Sequence, residues 1–202
     1  MPNVLNIIMT ATRTPPGENS RFLNMTMMTN SPEINDLYIE FSNVDFSDVI
    51  DIPMGKEIYN SLRYKSYNRI DTTLEDNNLR LFKGSDSEIS ELIRSYLGHI
   101  IDNKGKQIVF WISDITIWEK FMLNFFGRDE KGLIEFPSDD ISMTPVSIDT
   151  IFRLPVIDSN AEKRSIKDAI ELLEIKPSIL INSLSEATYY YTLLREHSWF
   201  ND

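Results

Sequence analysis

The side chains that could do chemistry are unevenly placed along this chain. It carries 31 Asp and Glu, yet none lies between Met1 and Glu18. The opening apolar run therefore leads into Thr10-Ala11-Thr12-Arg13-Thr14, hydroxyls without carboxylates. A neutral hydroxyl is a poor ligand for hard divalent ions. The two histidines, His99 and His197, have no metal-ligating partner at helical spacing and no nucleophile in a recognisable context; surface or helix-cap roles suit them better. No Gly-rich phosphate loop and no Ser-His-Asp arrangement can be built. Tyr189-Tyr190-Tyr191 and Trp199-Phe200 could stack on bases. Three consecutive residues on a helix cannot all face inward, so some belong to a core and the rest to a partner surface. The chain has no cysteine. Disulfides, thiolate-bound zinc, iron–sulfur clusters and thiol nucleophiles are excluded, and a reducing cytoplasm fits.

Composition narrows the partners. The 202 residues suit one domain spanning 1–202, with 42% hydrophobic and 25% charged residues. A net charge of −11 opposes a protein that lives by gripping phosphates, although a local basic patch could still exist. A protein partner is expected, nucleic acid is disfavoured, and an acidic mimic of nucleic acid is a further option. No apolar run approaches the ~20 residues needed to span a bilayer. Met1-Pro2-Asn3-Val4-Leu5 lacks the basic region of a signal peptide, so no membrane role and a cytoplasmic location are expected.

The elements that must position these groups follow from periodicity. Val4 to Met9 reads as a central strand. A turn at Thr14–Asn19 follows, then alternating strands over Arg21–Thr29 and Asp36–Phe41, giving an antiparallel meander. Lys56–Tyr67 could be helical, and Asp71–Lys83 looks like a polar connection. Ile89, Leu92, Ile93, Tyr96, Leu97, Ile100 and Ile101 mark a helix capped by Ser85 or Ser87, with Glu88 in its first turn. Gln107–Ile112 is a strand apolar on both faces. Helices are expected over Ile117–Phe126 and Asn182–Glu196, the latter capped by Asn182 or Ser183. A short element around Ser147–Arg153 and an amphipathic segment at Ser165–Leu173 lie between them. The fold class is α/β: a mixed sheet of three antiparallel strands extended by parallel strands, with flanking helices, in the ribonuclease H-like order.

Three segments carry a resemblance to a known superfamily. They are Ile7-Ile8-Met9-Thr10-Ala11-Thr12-Arg13-Thr14, Val109-Phe110-Trp111-Ile112-Ser113-Asp114-Ile115-Thr116-Ile117-Trp118, and Ile181-Asn182-Ser183-Leu184-Ser185-Glu186-Ala187. Together they resemble the motifs of DnaQ-like 3′–5′ exonucleases, in the phage exonuclease A and RNase-T-like branch. The resemblance places the family's first acid pair on Thr10 and Thr12, the mid-chain acid on Trp118, the general-base histidine on Ile181 and the last acid on Glu186. Glycines of the second motif fall on Ile112 and Asp114.

What the resemblance implies is a nuclease skeleton without its chemistry. Tryptophan cannot ligate a metal, isoleucine cannot take a proton from water, and Glu186 alone cannot hold two ions. The leading expectation is an inactive exonuclease-like domain, without cofactor, that serves as a binding or regulatory module of phage or viral origin. One alternative is an active Mg²⁺- or Mn²⁺-dependent exonuclease with relocated acids, for which Asp114, Glu119, Asp149, Asp168 and Glu186 are candidates. The plainer reading of each is a solvated acid or a helix cap. The other alternative is an acidic decoy that occupies the nucleic-acid groove of a host enzyme.

Overall fold

The computed structural model describes residues 4–14, 20–42, 44–50, 55–74, 78–104, 107–126, 141–142, 144–148 and 182–196. The strands are β1 (Val4–Arg13), β2 (Phe22–Thr29), β3 (Asp36–Phe41), β4 (Ile70–Leu74), β5 (Leu79–Gly84), β6 (Gln107–Ile112) and β7 (Val146–Ser147). The helices are α1 (Gly55–Ser61), α2 (Asp86–Lys104), α3 (Ile115–Phe125) and α4 (Ser183–Glu196). The sheet runs β4-β5-β3-β2-β1-β6-β7. β1, β2 and β3 form the expected antiparallel meander, and β6 lies parallel to β1 with β7 parallel to β6. This is an α/β fold with a mixed sheet, compatible with a ribonuclease H-like arrangement. Among the described residues no helix is long and apolar enough to cross a membrane.

Alternation along the strands splits the sheet into two unlike faces. One face presents Leu5, Ile7, Met9 and Ala11 of β1, Met25 and Met27 of β2, and Phe110 and Ile112 of β6. They pack with Ile89, Ile93 and Leu97 of α2 and with Trp118, Phe121 and Phe125 of α3 in one apolar cluster. Phe121 stands between Phe110 and Phe125, its ring centroid 5.8 and 5.4 Å from theirs. Burying each such side chain contributes roughly 1.5–3 kcal/mol. The opposite face carries Ile8, Trp111 and, from α4, Ala187, Tyr190 and Leu194 in one smaller cluster, Tyr38, Leu79 and Leu81 with Tyr64 and Leu184 in another, and buried polar side chains beside them.

The helix ends follow local chemistry. Ser85 and Glu88 form a capping box at α2: Ser85 N donates to Glu88 Oε2 at 2.9 Å, and Ser85 Oγ bonds the same oxygen at 2.8 Å. These bonds hold the Glu88 carboxyl below its usual range. α4 is capped by Asn182, whose Oδ1 accepts from Ser185 N at 3.0 Å.

Two expectations are corrected. The helix read over 56–67 ends at Ser61. The amide N–H groups of Arg63 and Tyr64, which would continue it, donate instead to the buried carboxylate of Glu40. The connection read over 71–83 is instead two paired strands, β4 and β5. β4 is an edge strand whose Asp71, Thr72 and Thr73 are exposed, so it needs no apolar alternation, and Asp71 pairs bidentately with Arg80 of β5 at 3.0 and 2.9 Å. The Ser165–Leu173 segment, Asp149, Asp168, Ile181, His197, Trp199 and Phe200 lie outside the described residues.

Candidate functional site

Thr10 and Thr12 project from β1 toward the α4 face, opposite Thr26 and Asn24 of β2 in register. The first residue of α4 is seated directly on this patch. Thr10 Oγ1 donates to the Ser183 carbonyl at 2.6 Å. Ser183 N donates to Asn24 Oδ1 at 2.9 Å, and Ser183 Oγ lies 2.9 Å from Thr26 Oγ1. Three strand side chains thus engage the amide, the carbonyl and the hydroxyl of one residue. Thr10, Asn24, Thr26 and Ser183 are all 0% exposed. A helix N-terminus leaves its first amides unsatisfied, and Asn24 supplies an acceptor for one of them. Asn24 Nδ2 is buried with no hydrogen-bond acceptor among the described residues. Thr12 is half-buried beside this cluster.

This arrangement binds a helix to a sheet. Its members are neutral, and its central oxygens are separated by hydrogen-bond distances. It offers no negative charge for a divalent ion.

The other positions singled out in the sequence are dispersed. Trp118 is buried in the apolar core, its ring centroid 5.1 Å from that of Phe110. Glu186, in the first turn of α4, accepts from Ser113 Oγ at the end of β6 at 3.1 Å. Asp114 caps α3, accepting from Thr116 N at 2.8 Å, and pairs with Arg13 at 3.2 Å. Glu119 is exposed on α3, as His99 is on α2. Among the described residues no three His, Asp or Glu side chains converge on a point that could hold a metal. Tyr190 is buried, while Tyr189 and Tyr191 are half-buried against the same small cluster.

A second polar centre was not singled out in the sequence. Glu40 of β3 is 1% exposed. Its carboxylate accepts from Tyr38 Oη at 2.7 Å and from the amides of Arg63 and Tyr64. Lys83, opposite Glu40 on β5, is also buried and donates to the Tyr64 carbonyl at 2.6 Å. Burial pulls the Lys83 ammonium below its usual range, against the opposing pull of Glu40. Burial beside the Glu40 charge also raises the Tyr38 phenol. A buried carboxylate and a buried ammonium together hold an irregular segment, 62–67, on the sheet. The hint available in the sequence was a charged Glu40 in an otherwise apolar strand end, matched by Lys83 in another.

Between that segment and α4 lies a mostly apolar cleft of about 520 Å³. Arg63 forms one wall; Asn182, Leu184, Ser185, Thr188, Tyr189 and Thr192 form the other. No protein-family model matches the sequence, and no curated protein matches it.

Proposed function

We propose that this chain is a catalytically inactive, exonuclease-like domain that works as a binding module. The observation that carries the reading is the seating of Ser183 on Thr10, Asn24 and Thr26. Thr10, to which the resemblance assigns the first of the metal-binding acids, lies in a fully buried, neutral helix-docking contact, with Thr12, the second, half-buried beside it. Converting that contact to a two-ion centre would require several carboxylates and space for a phosphodiester. Asp114 and Glu119, offered by the active-nuclease alternative, cap a helix and face solvent respectively.

The test is cleavage of labelled single-stranded DNA and RNA with Mg²⁺ or Mn²⁺. The expected outcome is no degradation above a metal-free control. Degradation that disappears in Glu186→Ala would overturn the reading, because it would make Glu186 part of a working centre.

A further inference from the structure

The 14 residues from Lys56 to Arg69 reverse the charge of the chain. They hold Lys56, Arg63, Lys65 and Arg69 against one acid, Glu57, in a protein of net charge −11. All four cations are exposed, and Tyr67 is 60% exposed. Lys65 Nζ sits 4.9 Å from the Tyr59 ring centroid, and the Arg63 guanidinium is 5.7 Å from that of Tyr38. Among the described residues no carboxylate pairs with Arg63 or Lys65. The segment is rigidly presented, because Glu40 and Lys83 grip its backbone from below. Burying two charges to fix a loop costs stability, and binding groups are often carried on loops held by a rigid scaffold.

The facing wall of the cleft has a definite hydrogen-bonding character. Ser185 Oγ donates to Asn182 O, Thr188 Oγ1 to Leu184 O and Thr192 Oγ1 to Thr188 O. Each hydroxyl proton is committed to the helix backbone, so these groups offer lone pairs to a ligand. An occupant must therefore bring N–H donors to α4, negative charge to Arg63, and apolar surface to Leu184 and Tyr189. A phosphodiester strand brings mainly acceptors to these lone pairs. An extended peptide brings amide donors at regular spacing, and acidic side chains supply the charge.

We infer that the cleft between Arg63 and α4 is a docking groove for an acidic, partly apolar peptide segment of a partner protein. The inference rests on the binding-module reading and names its ligand. Cleavage in the nuclease assay would remove that reading, whereas failure of the titration below removes only this groove.

The experiment is fluorescence anisotropy with a labelled peptide of about eight residues alternating Glu and Leu, at about 50 and 300 mM NaCl. The comparison probes are its Gln-for-Glu counterpart and an oligothymidylate of about eight nucleotides. The Glu peptide should bind at least tenfold more tightly than either, and more weakly at the higher salt. Arg63→Ala should weaken it about tenfold, and it keeps the backbone amide that Glu40 holds. Thr188→Val should weaken it a few-fold by deleting an acceptor. Absence of binding at low salt, indifference to Arg63→Ala, or oligothymidylate binding as tight as that of the peptide would each overturn the inference.

Discussion

The two faces of the sheet solve the same packing problem with opposite chemistry. Under α2 and α3 the strands offer Leu, Ile, Met and Phe, and the helices are held by dispersion and exclusion of water. Under α4 and the 62–67 segment the same strands add Thr10, Asn24, Thr26, Glu40 and Lys83, all buried, to two smaller apolar clusters. An apolar face tolerates small errors in register, because its contacts are not directional. A polar face does not: each donor must meet its acceptor, or a desolvation cost of about 1–3 kcal/mol is left uncompensated. The polar face therefore fixes where α4 begins and where the 62–67 segment runs, while the apolar face supplies most of the stability. The comparison predicts that substitutions on the two faces differ in mechanism even where they cost similar amounts.

The largest effects should come from the centre of each face. Glu40→Ala leaves Lys83 and two amides without the carboxylate that compensates them, and should cost about 3–5 kcal/mol in urea unfolding. Phe121→Ala should cost a similar ~3–5 kcal/mol through a cavity. The second substitution separates the two. Lys83→Met should recover part of the loss in Glu40→Ala, because it removes the orphaned cation, and should recover nothing in Phe121→Ala. Equal behaviour of Lys83→Met in both backgrounds would break the distinction between the faces.

The Ser183 contact should give the next largest effect. Thr10→Val keeps shape and removes the hydroxyl, leaving the Ser183 carbonyl without that donor, at a cost of about 1–3 kcal/mol. Thr10→Asp restores the residue type the exonuclease resemblance expects, but places a carboxylate against a carbonyl oxygen in a fully buried position. It should be more destabilising than Thr10→Val and should show no Mn²⁺-dependent rise in melting temperature. A clear rise with Mn²⁺ would mean that the α4 face retains a metal centre.

The apolar face was far more legible in the sequence than the polar one. Ile89, Ile93 and Leu97 announced α2 through helical spacing, Ser85 and Glu88 announced its start, and Gln107–Ile112 matched β6 to the residue. These features depend on neighbours in sequence. Asn24 and Thr26 alternate with Met25 and Met27, which correctly assigns them to the other side of β2. Periodicity does not say whether that side meets water or a helix 157 residues away. The end of α1 was hidden for the same reason, since Glu40 takes the Arg63 amide across 23 residues. Thr10 was visible only because a resemblance drew attention to it, and its partner Ser183 only as a capping option and a member of the third motif, with nothing to join the two.

The smallest predicted effect tests whether charge on the polar side is tuned by burial alone. Asp36 begins β3 on the same side as Tyr38 and Glu40, at the β2–β3 turn. Burial raises its pKa to about 6, only partly offset by the hydrogen bond from Thr29 N at 2.8 Å. The Tyr96 phenol is raised in turn, chiefly by burial, with Asp36 nearby. The folded state therefore holds the Asp36 proton more tightly than the unfolded chain, whose value is 3.8. The associated stability is fully present below that value and is lost as pH rises through about 6. Allowing for partial solvent access, the loss should amount to about 1–2 kcal/mol. Asp36→Asn keeps an oxygen for the Thr29 amide and cannot ionise. It should be more stable than wild type by about that amount at neutral pH and indistinguishable from it near pH 4, as read from urea midpoints across the range. A pH-independent difference would mean that the hydrogen bond, not the buried charge, governs this corner of the sheet.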